Sequence, residues 1–163
     1  MHQVELWDVL DENRQPTGRL HRRGEKLSRG DYHLTVHIWI QRHDGKFLLT
    51  KRSPSKTFPL MWEATAGSAV AGDDSLSAAL REVREETGLI LSPENGRLML
   101  THKSKDVFAD IWYFKQDFSL EDVILQEGET CEAMVATKEQ ILQMDKEGTL
   151  VPFVYLQKLM NDI

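Results

Sequence analysis

The sequence has little of what disulfide-bonded, membrane-spanning or nucleic-acid-coating proteins need. It contains one cysteine, Cys131, so neither an intrachain disulfide nor a multi-cysteine zinc site can form. No apolar run approaches the ~20 residues that cross a bilayer, and the first residues lack the basic and apolar regions of a secretory signal. Acidic residues exceed basic ones, 26 against 20, which argues against binding a nucleic-acid polymer. We therefore expect a cytoplasmic protein that binds neither membranes nor nucleic-acid polymers.

The composition that remains is typical of a folded domain. Hydrophobic residues make up 40% and charged residues 28% of the 163 residues, which excludes a disordered or collagen-like chain. This length suits one domain, and no repeat, low-complexity tract or linker divides it. We predict a single domain over residues 1–163. The oligomeric state does not follow from the sequence, and a homodimer is one option.

Hydrophobic periodicity predicts a mixture of strands and helices. It is clearest over residues 33–41, where apolar and polar residues alternate as in a strand, and Asp44-Gly45 then predicts a hairpin. Further strands are expected over 4–11, 47–51, 61–66, 98–103, 107–116 and 130–136, and helices over 75–87, 138–146 and 152–161. Because strands and helices do not alternate regularly, the predicted class is an α+β (α/β layered) domain with a mixed sheet.

Two segments give other signals. Residues 11–18 are rich in turn formers, and the basic residues 19–23 are interpreted as a solvated patch that could also meet an anionic substrate. The pattern over residues 119–128 is ambiguous.

Three carboxylates crowd one face of the predicted helix over 75–87. Glu82 is followed by Glu85 and Glu86 at helical spacings of three and four. A neighbouring apolar stripe that includes Leu80 and Val83 is expected to face the core. Like charges at these spacings destabilise a helix by ~0.2–0.5 kcal/mol per pair. Either a solvated face with Arg–Glu ion pairs or a hard divalent cation, which prefers carboxylate oxygens, would offset that repulsion.

The segment 67–89 resembles the Nudix box, which is a glycine, five residues, a glutamate, seven residues, and then Arg-Glu-apolar-x-Glu-Glu-x-Gly-apolar. Gly67 opens the segment, and Arg-Glu-Val-Arg-Glu-Glu-Thr-Gly-Leu at 81–89 matches every defined position of the second part. Asp73 stands where the family has glutamate. The resemblance implies the Nudix fold, a mixed β-sheet sandwiched between helices, with residues 1–32 as an N-terminal extension of the domain.

The same resemblance implies an activity and a set of site residues. Nudix proteins mostly hydrolyse a nucleoside diphosphate linked to another group, X, with Mg²⁺ or Mn²⁺. Carried over by position, Glu85 and Glu86 are metal ligands, and Glu82 is a further ligand or the base that activates water. Arg81 orients a box carboxylate, and the backbone at Gly67 brings a carbonyl to the metal. The expected partner is a small molecule that contains a diphosphate.

Two alternatives accompany this interpretation. The N-terminal half and the stretch from Lys51 to Trp62 resemble the Nudix branch that includes isopentenyl-diphosphate isomerase. That isomerase places a catalytic cysteine just before the box glycine and a metal-binding histidine just after it. Here those positions hold Ala66 and Ser68, so hydrolysis is favoured. A Nudix domain that binds a nucleotide without turnover, as a regulatory module, is the other alternative.

A carboxylate from outside the box is expected to complete the site, because three glutamates on one helix approach a metal from one side only. In Nudix relatives such a glutamate often follows the box. The candidates are Glu127, Glu129 and Glu132, of which Glu129 is the first choice as a catalytic residue. Asp110, in a predicted strand, is the runner-up.

Four residues are candidates for binding substrate. His37 and Trp39 share one face of the strand over 33–41, which is either a half-exposed polar surface or a wall that contacts the substrate. Arg52, at a strand end, can reach a phosphate. Trp62, just before the box, is either a core residue or a platform for stacking.

Overall fold

The structure is a computed structural model that describes residues 4–163, and the expectation about the first residues of the chain rests partly on residues 1–3, outside that range. The described residues form nine strands and three α-helices. In order these are β1 (Leu6–Leu10), β2 (Pro16–Arg22), β3 (His33–Gln41), β4 (Phe47–Arg52), β5 (Trp62–Glu63), β6 (Thr65–Ser68), α1 (Ser75–Thr87), β7 (Gly96–Lys103), β8 (Val107–Lys115), β9 (Thr130–Ala136), α2 (Lys138–Glu147) and α3 (Leu156–Asp162). None of these helices has both the length and the apolar character needed to cross a membrane.

The main sheet is mixed, as predicted. Its strands lie in the order β5-β4-β3-β8-β7, while β6 pairs with β3 and β9 pairs with β4. The central pair β3 and β8 is parallel, and the other pairs are antiparallel. The predicted turn at Asp44-Gly45 joins β3 to β4, and Gly45 has the positive φ of 86° that such a tight turn favours.

Helices cover both faces of this sheet. The residues of β3 that point to one side, Val36, Ile38 and Ile40, pack with Ala79 and Val83 of α1. Side chains of the opposite face, including Trp39, pack with α2 and α3. Because each face buries its own apolar cluster, the molecule has the sandwich of helices around a mixed sheet that the sequence predicts.

The N-terminal strands form a separate hairpin tied to the main sheet. Leu10 and Tyr32 exchange backbone hydrogen bonds of 2.8 and 2.9 Å. The Trp7 ring stacks on the His33 ring with 3.9 Å between centroids, and Asp8 accepts a hydrogen bond from the Gly72 amide at 2.8 Å. These contacts support our proposal that residues 1–163 form one domain.

The structure corrects one prediction of local structure and refines two others. The basic residues 19–23 are mostly exposed, as expected of a solvated patch, and most of them belong to β2, whose backbone pairs with β1. The last helix begins at Leu156 and not at Pro152, because Val151 donates a backbone hydrogen bond to Trp62 and keeps the preceding segment extended. The ambiguous segment 119–128 is mostly loop with one short 3₁₀ turn at Leu120–Asp122.

Candidate active site

The carboxylates of α1 are partly buried, which the helical pattern alone does not predict. The helix begins after Asp74, whose side chain accepts from the Ser77 amide at 2.7 Å, and ends at Gly88 with a φ of 75°. Between these caps, Glu82 and Glu86 are only 8% and 6% exposed. The Glu85 side chain is 45% exposed. The predicted apolar stripe therefore does not account for all of the buried side chains of α1, because the helix also buries two of its three clustered glutamates.

Gly67 on β6 leaves the space that the Glu82 side chain occupies. A Cβ atom added at Gly67 would lie 2.2 Å from the carboxyl carbon of Glu82 and within 2.6 Å of both carboxyl oxygens. Atoms that are not bonded to each other do not come this close, so any side chain at position 67 would displace the Glu82 carboxyl group. Glycine at position 67 therefore has a steric reason, since it lets the strand pass directly over the Glu82 carboxyl group.

Arg81 ties the acidic residues of the box together. Its guanidinium donates to Glu82 at 3.1 Å and to Glu85 at 3.2 Å. It also donates to Asp73 at 2.9 Å and to the carbonyl of Ser68 at 3.3 Å. Asp73, the departure from the family pattern, thus serves as an ion-pair partner, and it also accepts from the Val70 amide at 3.0 Å. This arrangement agrees with the orienting role expected for Arg81.

Burial and mutual repulsion raise the pKa of the two inner carboxyl groups. Burial raises the pKa of Glu82 to about 7, although Arg81 partly opposes the shift. The pKa of Glu86 is raised well above its usual value by burial and by the charges of Glu82, Glu63 and Glu129, with only Lys56 opposing them. Within residues 4–163, Glu86 Oε2 is buried without any hydrogen-bond partner. A divalent cation would satisfy that oxygen and relieve the repulsion, so these residues fit a metal.

Side chains alone do not form a complete metal site. Among residues 4–163, no group of three histidine, cysteine, aspartate or glutamate side chains is arranged to enclose an ion. Mg²⁺ commonly binds one or two carboxylates and takes its other ligands from water and substrate phosphates. The partial carboxylate set therefore suits an ion that is shared with a phosphorylated substrate.

The buried carboxylates open into a cleft of about 610 Å³. Its walls come from the N-terminal hairpin, β3, β6, α1 and two loops, and its polar lining includes both acidic and basic groups. A larger groove of about 960 Å³ between residues 26–32 and Lys105-Asp106 contains none of the box carboxylates. Because the perturbed carboxyl groups lie in the smaller cleft, we assign the site there.

Among the candidates outside the box, Glu129 alone lines the cleft in the described part of the chain. It pairs with Lys56, and its charge contributes to the raised pKa of Glu86. Glu132 pairs with Lys51 at 3.7 Å, away from the cleft lining. Asp110 is fully buried and held by Arg14 at 2.7 and 2.5 Å, so this runner-up is a structural ion pair. Glu127 is exposed and is not part of the lining.

The four substrate-binding candidates divide into two pairs. Arg52 and His37 line the cleft. The expectations for Trp39 and Trp62 need correction: Trp39 is 0% exposed inside the core, and Trp62 is partly buried against the same core, outside the cleft lining. Arg52 is already engaged, because its guanidinium donates to Glu63 at 2.9 Å and to the Thr57 hydroxyl at 2.9 Å.

Glu5, Lys56 and Gln126 lie at the site without having been predicted there. Glu5 and Arg23 bring the N-terminal hairpin to the cleft, and Lys56 and Gln126 contribute from loops. Arg23 belongs to the basic residues 19–23, for which contact with an anionic substrate was one of the expectations, whereas the sequence around the other three carries no motif. The isomerase positions Ala66 and Ser68 also line the cleft, whereas Cys131 does not.

Known proteins of one family resemble this chain in sequence and in fold. The family described as NUDIX domain matches residues 31–155. A Nudix hydrolase of Listeria monocytogenes is 38% identical over 160 residues, covering 97% of this chain and 95% of that protein. The crystal structure of DR0079 from Deinococcus radiodurans shares the fold, with a TM-score of 0.77 at 20% identity over 97% of this chain and 98% of that chain. The NUDIX domain of Shewanella oneidensis NrtR, crystallised with ADP ribose, has a TM-score of 0.60 at 18% identity over 80% and 84% of the two chains.

The region matched by the family model includes most, but not all, of the residues that line the cleft. The matched region contains all of the box and Glu129, while the hairpin that supplies Glu5 and Arg23 precedes it. The Listeria relative, by contrast, matches almost the full chain, including the hairpin. The chain belongs to the Nudix hydrolase family.

Proposed function

We propose that this protein is a divalent-metal-dependent pyrophosphohydrolase that cleaves a nucleoside diphosphate linked to another group, X. The observation that carries the proposal is the buried Oε2 of Glu86, which has no hydrogen-bond partner among residues 4–163 and which other carboxylates repel. An acidic site of this kind accepts a diphosphate only with cations between them, and Mg²⁺ and Mn²⁺ suit carboxylate oxygens. The exposed Cys131 thiol is compatible with the cytoplasmic location that we retain in this proposal.

The proposed metal ligands are Glu85, Glu86 and Glu82, together with a backbone carbonyl near Gly67. The bound metal supplies an acidified water and neutralises the diphosphate charge. The alternative role for Glu82 is the base that activates water, and its pKa of about 7 in the metal-free protein suits that role if Glu82 does not itself bind the metal. Arg81 holds Glu82 and Glu85 through its hydrogen bonds and so fixes where their charges lie.

The basic side of the cleft is proposed to bind the diphosphate. Arg52 is held by Glu63 and Thr57, so its charge is presented from a fixed position. Lys56 forms an ion pair with Glu129 at the cleft, and a phosphate that draws Lys56 away would free this carboxylate. His37 contributes an uncharged group on the strand side of the cleft. The two tryptophans play no part in this proposal, since neither lines the cleft.

Binding without turnover is the second candidate function. The fold similarity to the NrtR domain, which was crystallised with ADP ribose, favours it. The isomerase alternative lacks such support at the site, because Ala66 and Ser68 offer neither a thiol nor an imidazole to the cleft.

A substrate panel tests these alternatives. We expect Mg²⁺ or Mn²⁺ to support release of a nucleoside monophosphate from at least one of ADP-ribose, nucleotide sugars and dinucleoside polyphosphates. EDTA should abolish the release, and isopentenyl diphosphate should yield no dimethylallyl diphosphate. Nucleotide binding without any product would support the regulatory module, and product formation that is unaffected by EDTA would contradict the metal requirement.

The role of Glu129 can be separated from that of a similar glutamate. We expect Glu129→Gln to lower kcat by at least ~10-fold, because groups that support a metal site typically cost this much when they are changed. Glu132→Gln is the matched control, since Glu132 also pairs with a lysine but lies outside the cleft lining. Steady-state rates and thermal unfolding of both variants are compared with the wild type. Equal kcat values for the two variants would remove Glu129 from the site.

A further inference from the structure

A chain of hydrogen bonds connects the core to the cleft through His37. Its Nδ1 lies 2.6 Å from the hydroxyl oxygen of Tyr155, and the indole nitrogen of Trp39 lies 3.2 Å from the same oxygen. Trp39 is fully buried and Tyr155 nearly so, while His37 reaches the cleft lining. The three groups therefore form a line from a closed interior to an open site.

The chemistry of each group sets the direction of these bonds. An indole N–H can only donate, so the Tyr155 oxygen is the acceptor for Trp39. If His37 Nδ1 also donated to that oxygen, the phenol hydrogen would be buried, and the part of the chain that the structure describes offers it no other acceptor. Burial also raises the pKa of Tyr155, so the phenol keeps its proton. The hydroxyl therefore donates to His37 Nδ1.

This direction determines the state of the imidazole. An Nδ1 that accepts a hydrogen bond leaves the proton of a neutral ring on Nε2. Burial, and to a smaller extent the nearby His102, lowers the pKa of His37 to about 4, which keeps the ring neutral near pH 7. Within residues 4–163, His37 Nε2 has no hydrogen-bond partner in the protein. The ring thus has an N–H donor that no group among these residues accepts, on a side chain that lines the cleft.

We propose that His37 is a substrate-positioning residue, which offers a fixed and uncharged Nε2–H donor to a hydroxyl or carbonyl oxygen of the substrate, and that Tyr155 and Trp39 hold it in this tautomer. The charged groups of the cleft, Arg52 and Lys56, suit the diphosphate. A neutral donor suits instead an uncharged oxygen of the nucleoside or of group X, because it adds direction without adding charge. This inference rests on the proposed function, since it names the part of that substrate that His37 contacts.

Kinetics of three variants test the contact. With a panel compound that the wild type hydrolyses, His37→Leu should raise KM by ~10-fold, the scale of one lost hydrogen bond, and leave kcat within about twofold. His37→Gln should recover part of the loss, because its amide nitrogen can replace Nε2–H. Tyr155→Phe should raise KM by a smaller factor. Tyr113→Phe is the matched control, because it removes the hydroxyl of another largely buried tyrosine, which bonds to Gln41.

Nitrogen NMR of ¹⁵N-labelled histidine tests the tautomer without substrate or metal. We expect an unprotonated Nδ1 and a protonated Nε2 for His37 in the wild type and in Tyr113→Phe, and a mixture of tautomers in Tyr155→Phe. A protonated Nδ1 in the wild type would overturn the inference, as would an unchanged KM in a folded and active His37→Leu variant. A wild type that hydrolyses no panel compound would instead overturn the proposed function, and the NMR result would still report on the tautomer.

Discussion

Replacing Glu86 with glutamine is expected to cut turnover by at least ~10²-fold while the fold stays intact, the scale on which a lost catalytic electrostatic contact is measured. Glutamine keeps the shape of the side chain but removes the charge from a position that is 6% exposed. In the metal-free protein that charge is unfavourable, because burial and the neighbouring glutamates raise the pKa of Glu86. A residue whose charge is unfavourable in the unliganded fold and which lines the cleft is a candidate for a functional role.

The measurement is kcat at saturating Mg²⁺, with circular dichroism and thermal unfolding to verify the fold. Glu139→Gln is the control, because Glu139 is exposed on α2 and lies outside the cleft. It should behave as the wild type does. A folded Glu86→Gln protein with near-normal turnover would show that Glu86 holds no metal.

Local signals explain why much of the fold was predictable. The helix α1 was predicted to the residue, because its first turn follows a capping aspartate and its end carries a glycine with positive φ. The strand β3 was likewise predicted at both ends from its alternation. The Nudix-box resemblance predicts that Gly67 and the glutamates of α1 lie at one site, and the structure places them in one cleft. In each case the determining residues are close together in the sequence.

The errors arise where distant segments meet. Alternation along β3 predicted that Trp39 faces away from Ile38, which is correct, but it does not reveal that α3 covers this second face. Tyr155, which bonds to both His37 and Trp39, is more than 100 residues away from them in the sequence. No local sequence pattern predicts a hydrogen-bond partner at that distance along the chain. The expected contact of Trp39 with the substrate is wrong for this reason, and the hydrogen bonds of Tyr155 are not predicted for the same reason.

The burial of the acidic helix face has the same origin. Helical spacing placed Glu82, Glu85 and Glu86 together but left open whether water or a cation offsets their repulsion. The structure places the glutamates in different surroundings, because β6 passes over Glu82 at Gly67 while the Glu85 side chain remains 45% exposed. Burial raises the pKa values of the inner pair, Glu82 and Glu86. The chemical difference between neighbouring glutamates is therefore a property of packing.

In the absence of metal, Glu82→Gln is expected to become more stable relative to the wild type as the pH rises. The pKa of Glu82 is about 7 in the folded protein, against an ordinary value of 4.5 that applies to the unfolded chain. Between these values the folded state binds more protons than the unfolded state, so the contribution of Glu82 to stability falls as the pH rises. Well below pH 4 the carboxyl group is neutral in both states. Between pH 4 and pH 8 the stability difference between variant and wild type should change by ~3 kcal/mol, since each pKa unit corresponds to ~1.4 kcal/mol.

Urea unfolding in EDTA at pH 4 to 8 measures this difference. Comparing the variant with the wild type cancels His37, whose lowered pKa makes stability rise with pH in an overlapping range. Glu85→Gln is the matched control on the same helix, and its curve should run parallel to that of the wild type because this side chain is 45% exposed. Adding Mg²⁺ at pH 8 should stabilise the wild type more than Glu82→Gln, because the metal binds the charged carboxylate. Parallel curves for Glu82→Gln and the wild type in EDTA would mean that burial does not penalise the Glu82 charge, and equal stabilisation by Mg²⁺ would mean that Glu82 is not a ligand.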